Sequence, residues 1–179
     1  MAALAAREVG CAVDEVIVAS TGVIGVRLPM AEVRSGIVAA ARRLSPDGGG
    51  EAARAIMTTD TKPKEAVVGV EVDGVTATVG GMAKGAGMIA PNMATMLAFF
   101  TTDVSIRPPL LRRTLVAAVG ESLNRITVDG DTSTNDCAVI LASGAAGPPP
   151  IEGEGPAYEA FREALTAVAR RLAEMLVRD

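Results

Sequence analysis

The sequence predicts an α/β fold of the α+β kind, a mixed sheet with helices packed on it. Three observations lead there. Apolar residues recur at helical spacing in several segments, for example Leu111, Leu115, Ala118, Val119 and Leu123, and again Phe161, Leu165, Val168, Leu172 and Met175. Around Asp73-Gly74 the period changes to two, with Val68, Val70 and Val72 on one side and Val75, Ala77 and Val79 on the other, which is a two-residue hairpin. Helical and strand patterns then interleave along the chain, and because a hairpin is among them an all-parallel sheet is excluded. At 179 residues the chain has the size of one domain with a proper core, commonly ~100–200 residues, and it shows no internal repeat.

Taken in order, residues 1–9 read as the end of a helix, and "DEVIVAS" (14–20) as a buried strand. "STGVIG" then turns the chain towards Pro29, which suits the first turn of a helix carrying Val33, Ile37, Ala40, Ala41 and Leu44. "SPDGGG" (45–50) ends that helix, and another runs from about Glu51 to Met57. After the hairpin, a Gly- and Met-rich loop, "GGMAKGAGMIAPNMA" (80–94), delivers the chain to the strand "TMLAFFTTDV". Pro108 and Pro109 open the next helix. "DGDTSTND" (129–136) is a polar turn leading into a strand, "CAVILAS", and "GPPPIEGEGP" (147–156) is a surface linker to the final helix.

Apolar residues make up 49% of the chain and aromatics only 2%, so the core is built from Val, Ile, Leu, Ala and Met, with little on which bases could stack. The net charge is −4 without a long basic run, which leaves no electrostatic footprint for nucleic acid or an anionic membrane; a small-molecule partner fits better. No run approaches the ~18 apolar residues that span a bilayer and no secretion signal opens the chain, so a cytoplasmic protein is expected. Cys11 and Cys137 stand apart without CxxC spacing and read as small buried hydrophobes. Histidine is absent, which excludes a Ser-His-Asp triad, a Cys-His pair and a His-ligated zinc within this chain.

The stretch "APNMATMLAFF" (90–100) sets Thr95 at the head of an apolar strand. A β-branched residue suits a pleated sheet, and that alone accounts for a threonine there. A second observation points to chemistry: the three lysines, against fourteen arginines, are Lys62, Lys64 and Lys84, all shortly before Thr95, as a site wanting compact ammonium donors for an anionic substrate would have them. A threonine hydroxyl needs a base, and without histidine the candidates are a lysine, a carboxylate, a metal or the threonine's own α-amine after cleavage of the chain. A free terminal amine, with a reference pKa of ~7.7–8.0, serves near neutral pH. Cleavage at Ala94–Thr95 would create one; Ala94 leaves its carbonyl open, while Gly85, Gly87 and Pro91 shape the loop before it.

Four motifs in this order, "ASTGVIGVRLPM", "MTTDTKPK", "KGAGMIAPNMATML" and "DGDTSTND", resemble the bifunctional ornithine acetyltransferase / glutamate N-acetyltransferase family of arginine biosynthesis, and the likeness covers essentially the whole chain. The resemblance implies the self-processing, N-terminal-nucleophile-type fold of the ornithine acetyltransferase/DmpA-like class. It implies cleavage at Ala94–Thr95, with residues 1–94 the C-terminal part of an α chain and 95–179 the N-terminal part of a β chain, both within one intertwined domain and associated as α2β2. By the same resemblance Thr95 is the nucleophile, Thr21 and Gly22 form the oxyanion hole, and Thr61, Lys84 and Thr95 bind substrate. The implied substrates are N2-acetylornithine and glutamate, with acetyl-CoA as an alternative donor and with no metal or cofactor.

Family members are roughly twice as long, so the chain is expected to correspond to their middle, with further binding residues beyond Asp179. Two other readings stand beside this one: an N-terminal-nucleophile amidase or aminopeptidase with water as acceptor, and an inactive piece that works only with its flanks. Nucleotide binding through "KGAGMIAP" is weaker, since the lysine precedes the glycines and no GxxxxGK[ST] pattern occurs. A calcium loop at "DGDTSTND" is rejected, because Thr134 and Ile140 stand where an EF-hand requires Gly and Glu. That segment reads as a polar turn or as support for the site.

Overall fold

The computed structural model describes residues 1–90, 96–147 and 149–179. They form two compact units, Met1–Ala52 and Ala53–Asp179. The expected division of the chain at residues 94 and 95 falls outside the described residues.

In the first unit α1 (Ala2–Val9) packs against α2 (Met30–Ala41). Gly10, at a φ of 78°, closes α1 with its N–H on the Ala6 carbonyl, a left-handed cap that suits glycine. The segment expected as a buried strand, 14–20, is not one. It leaves a 3₁₀ turn at Val13–Glu15 and runs on without sheet partners among the described residues, with Ile17 61% and Val18 44% exposed. An apolar run becomes a strand only where a ladder accepts its backbone. The helix expected to reach Leu44 ends at Ala41, none of its residues is buried, and Leu44 is exposed. Cys11 is exposed and Cys137 only half-buried: Cys11 follows the cap that ends α1, and Cys137 opens the edge strand of the sheet. α3 (Gly49–Ala55) spans the boundary to the second unit.

The second unit is a four-stranded mixed sheet, ordered β1-β2-β3-β4, with helices α4 and α5. β1 (Lys64–Val72) and β2 (Val75–Lys84) form the expected hairpin, and both turn residues lie in the left-handed region, Asp73 at φ 49° and Gly74 at φ 80°, as a twist-matched two-residue turn requires. β3 (Leu97–Thr102) is antiparallel to β2, and β4 (Cys137–Ala142) is parallel to β3 after the crossover through α4 (Pro108–Gly120).

α5 (Pro156–Val177) packs on β1 and β2 and brings Phe161, Leu165, Val168 and Leu172 into the core, all fully buried. Burying each such side chain contributes about 1.5–3 kcal/mol. The stripe continues through Leu176 rather than the expected Met175, which is only partly buried.

One boundary differs for a reason visible in the packing. Residues 80–84 were expected as loop, yet β2 continues through them to Lys84. At Gly81 an added Cβ would lie 2.9 Å from both Phe100 Cδ1 and Val168 Cγ1, so the glycine marks where α5 approaches the sheet and not a break in the strand.

Candidate active site

One end of the sheet gathers the charged residues. The register sets Lys64 opposite Ala83, Lys84 opposite Leu97, and Leu97 opposite Cys137, so the start of β1, the end of β2 and the starts of β3 and β4 share that end.

Lys64 is fully buried and pairs with Asp60 Oδ1 at 2.7 Å and Asp179 Oδ2 at 2.5 Å. Asp60 also accepts the N–H of Gly85 at 2.6 Å and of Thr58 at 3.1 Å. Burial works against its ionisation, but the Gly85 N–H, the Lys64 ammonium and the Thr58 N–H outweigh it and hold the carboxyl below its ordinary range. Asp179, at the end of α5, is held down at about 2, first by Lys64 and then by the Thr61 hydroxyl. The N–H of Thr61 reaches the two oxygens of Asp179 at 3.2 and 3.1 Å, and its hydroxyl donates to Oδ1. A single hydrogen-bonded chain thus runs from Thr61 through Asp179, Lys64 and Asp60 to Gly85, the residue after Lys84.

Lys84 is 3% exposed. Burial lowers its pKa; Asp60 and Asp136 oppose that shift, and Lys64 adds to it. An ammonium so placed favours the arrival of a carboxylate, which would replace the water that burial removed.

The loop after Lys84 is anchored by the polar segment at 127–129. Asp129 accepts the N–H groups of Met88 (2.5 Å) and Ile89 (2.9 Å), and the Ile89 carbonyl accepts from the Val128 N–H (2.8 Å) and the Thr127 hydroxyl (3.1 Å). The Met88 N–H leads the bonds that lower the Asp129 pKa. These bonds hold Met88 at a φ of 57°, a conformation that a non-glycine residue adopts only when its surroundings enforce it. At the other end of the segment Asp136 accepts the Met96 N–H at 2.8 Å. Its pKa is pushed up to about 6, mainly by burial, against the Met96 N–H and Lys84. The segment is therefore the polar turn expected, with each end bonded to the chain that flanks residues 91–95.

The chain matches the ArgJ family model over residues 1–179. It belongs to the ArgJ family. It is 55% identical over its full length to the arginine biosynthesis bifunctional protein ArgJ of Symbiobacterium thermophilum, covering 44% of that relative. To the protein of that name from Methylococcus capsulatus it is 53% identical, over 96% of this chain and 42% of the relative. It spans less than half the length of these curated ArgJ relatives. The crystal structure of arginine biosynthesis bifunctional protein ArgJ from Bacillus halodurans aligns with 44% identity and a TM-score of 0.44 over 45% of this chain and 38% of that one.

Of the expected site residues, Thr61 and Lys84 fall in the second unit, Thr61 at one end of the hydrogen-bonded chain and Lys84 next in sequence to its other end, Gly85. Thr21 and Gly22 lie in the first unit, in the irregular segment before α2. Ala94 and Thr95 lie outside the described residues. Sequence reasoning missed Asp60 and Asp179, and it left Lys64 as one of a local group of lysines. The bond from Lys64 to Asp179 joins residues 115 apart, a relation that no motif spacing carries. Among the described residues no group of three His, Cys, Asp or Glu side chains is placed to hold a metal, and no helix is long and apolar enough to cross a membrane.

Proposed function

We propose that this chain is the central part of a self-processing acetyltransferase that moves the acetyl group of N2-acetylornithine to glutamate. The observation that carries the reading is the ArgJ family match along the whole chain, to which the buried Lys84 adds a site suited to a carboxylate. In the proposed sequence Thr95 Oγ attacks the Ala94 carbonyl, the C–N bond between the two residues breaks to leave Ala94 as an ester on Oγ, and water hydrolyses that ester to an Ala94 carboxylate; the freed α-amine of Thr95 then becomes the base for the same hydroxyl. In the first half-reaction the hydroxyl gives its proton to that amine while Oγ attacks the acetyl carbonyl. The resulting ammonium returns the proton to the nitrogen of departing ornithine, leaving an acetyl ester on Thr95. The amine of glutamate then attacks the ester, and the threonine oxygen leaves and recovers a proton, giving N-acetylglutamate and the starting enzyme.

Thr21 and Gly22 are assigned to the oxyanion of both tetrahedral intermediates, where one donor is worth ~2.7–4 kcal/mol. Lys84 and Thr61 are assigned to substrate, Lys84 to a carboxylate. Acetyl-CoA is proposed as an alternative donor, α2β2 as the assembly and the cytoplasm as the location; the proposed chemistry draws on no metal or cofactor. The test supplies N2-acetylornithine with and without glutamate to the protein expressed from its complete gene. Ornithine release beyond the first equivalent per site is expected to require glutamate. Equal release without glutamate would make water the acceptor and the protein an amidase.

A further inference from the structure

Asp136 sits one residue before β4, and Met96 one residue before β3. The parallel ladder pairs Leu97 with Cys137, so these two residues face each other one step ahead of it. Two hydrogen bonds hold Met96 here: the Cys137 N–H donates to its carbonyl at 3.2 Å, and its own N–H donates to Asp136 Oδ1 at 2.8 Å. A side chain here stands in for the backbone acceptor that the ladder lacks. In the sequence Met96 N is the amide nitrogen that directly follows Thr95, so whatever holds it also holds the C-terminal side of that residue.

A cap of this kind needs one oxygen, and asparagine would supply it without a charge. Asp136 has a second oxygen, Oδ2, that is buried and has no hydrogen-bond partner among the described residues. Leaving a carboxylate oxygen sealed and unpaired is costly, and such atoms in a folded protein ask for an explanation. The groups acting on this carboxyl are the Met96 N–H at the head of β3 and the Lys84 ammonium at the end of β2; Lys84 is itself acted on by Asp60 and Lys64. Asp136 thus acts both on the amide after Thr95 and on the buried lysine assigned to substrate.

We propose that Asp136 is a positioning residue for acetyl transfer: through the Met96 N–H it fixes the backbone on the C-terminal side of the nucleophile, and through its charge it steadies Lys84 for the incoming carboxylate. The proposal rests on Thr95 being the nucleophile. Its pH signature follows from the carboxyl standing at about 6. Below that pH the neutral carboxyl accepts more weakly from Met96 and no longer opposes the desolvation of Lys84; above it both interactions return. Acetyl transfer therefore falls through a step with a midpoint near 6, additional to the limb that the Thr95 α-amine, with its reference pKa of ~7.7–8.0, sets at higher pH.

Asp136→Asn keeps the shape and one acceptor for Met96 but cannot ionise. With protein expressed from its complete gene, transfer from N2-acetylornithine to glutamate is followed from about pH 5 to about pH 8.5. The wild type is expected to lose kcat through a limb centred near 6. The Asn variant is expected to lose tenfold or more at pH 8 and to show no such limb, with its circular dichroism spectrum unchanged. If the variant is cleaved at Ala94–Thr95 too slowly for turnover to be followed, the rate of cleavage is read against pH by the same criterion. A limb near 6 that survives unmoved in Asp136→Asn overturns the proposal. Should that variant fail to fold, the wild type decides: the midpoint of a carboxylic acid rises in mixed organic solvent and that of an ammonium does not, so an unmoved or absent limb overturns it too. Thr95→Ala, made alongside, separates the two ideas. Continued transfer in Thr95→Ala refutes the nucleophile, whereas an inactive Thr95→Ala beside an unaltered Asp136→Asn refutes only the role of Asp136.

Discussion

Replacing Lys64 by methionine removes the cation that joins the start of β1 to the end of α5. Lys64 is fully buried between Asp60 at 2.7 Å and Asp179 at 2.5 Å, so the substitution leaves two carboxylates sealed together without a counter-charge. Breaking a buried pair from one side costs about 3–5 kcal/mol. Here Asp60 keeps the N–H groups of Gly85 and Thr58, and Asp179 keeps Thr61, which places the cost near the lower end, about 3 kcal/mol. For a unit the size of Ala53–Asp179 this corresponds to a fall of about 10–15 °C in Tm. Thermal unfolding by circular dichroism at neutral pH reads it. The pH dependence gives a second check on the cause. Asp60 and Asp179 both ionise more readily folded than unfolded, and Asp179 stands at about 2 against an ordinary 3.8. Their contribution is complete above 3.8 and is lost as pH falls towards 2. The gap between wild type and Lys64→Met must therefore narrow across that interval. Replacing all three residues, Asp60→Asn and Asp179→Asn with Lys64→Met, must recover much of the loss, since no charge remains buried. A Lys64→Met protein within about 2 °C of wild type at neutral pH would mean that the buried lysine does not hold β1 to the chain after α5.

Gly81→Ala places a methyl 2.9 Å from Phe100 and Val168, neither of which is a freely moving chain end. It is expected to cost about 1–3 kcal/mol in a denaturation midpoint, and an unchanged midpoint would mean that α5 shifts freely on the sheet. Thr21→Val removes the proposed oxyanion donor while keeping the shape. Steady-state kinetics should show kcat down a hundredfold or more with the fold intact, and unchanged turnover would take Thr21 out of that role.

The parts of the fold that sequence revealed are those whose causes are local. The hairpin needs only its alternating valines and Asp73-Gly74, and α4 and α5 need only prolines at their first turns and a repeating apolar stripe. Segment 14–20 has the composition of a buried strand, but composition carries no information on whether a neighbouring strand is present, and Ile17 and Val18 are exposed. Gly80 and Gly81 looked like loop because glycine usually is; the meaning of Gly81 depends on Val168 and Leu172, far along the chain. The site divides in the same way. Lys84 stood out through the grouping of the lysines and through the motif around it. Asp60 and Asp179 did not, because what matters in them is a buried lysine that only the folded chain brings between them. "DGDTSTND" was legible as a polar turn, whereas the targets of Asp129 and Asp136 lie about forty residues earlier.

The proposed chemistry turns on the hydroxyl of Thr95, and the most direct measurement is a mass spectrum of acid-quenched protein after brief exposure to N2-acetylornithine without glutamate. It predicts two chains, the second beginning at Thr95 and carrying one acetyl group on its first residue, which glutamate then removes. An uncleaved chain that transfers acetyl, or an acetyl group carried on any other residue and passed on to glutamate, would contradict it.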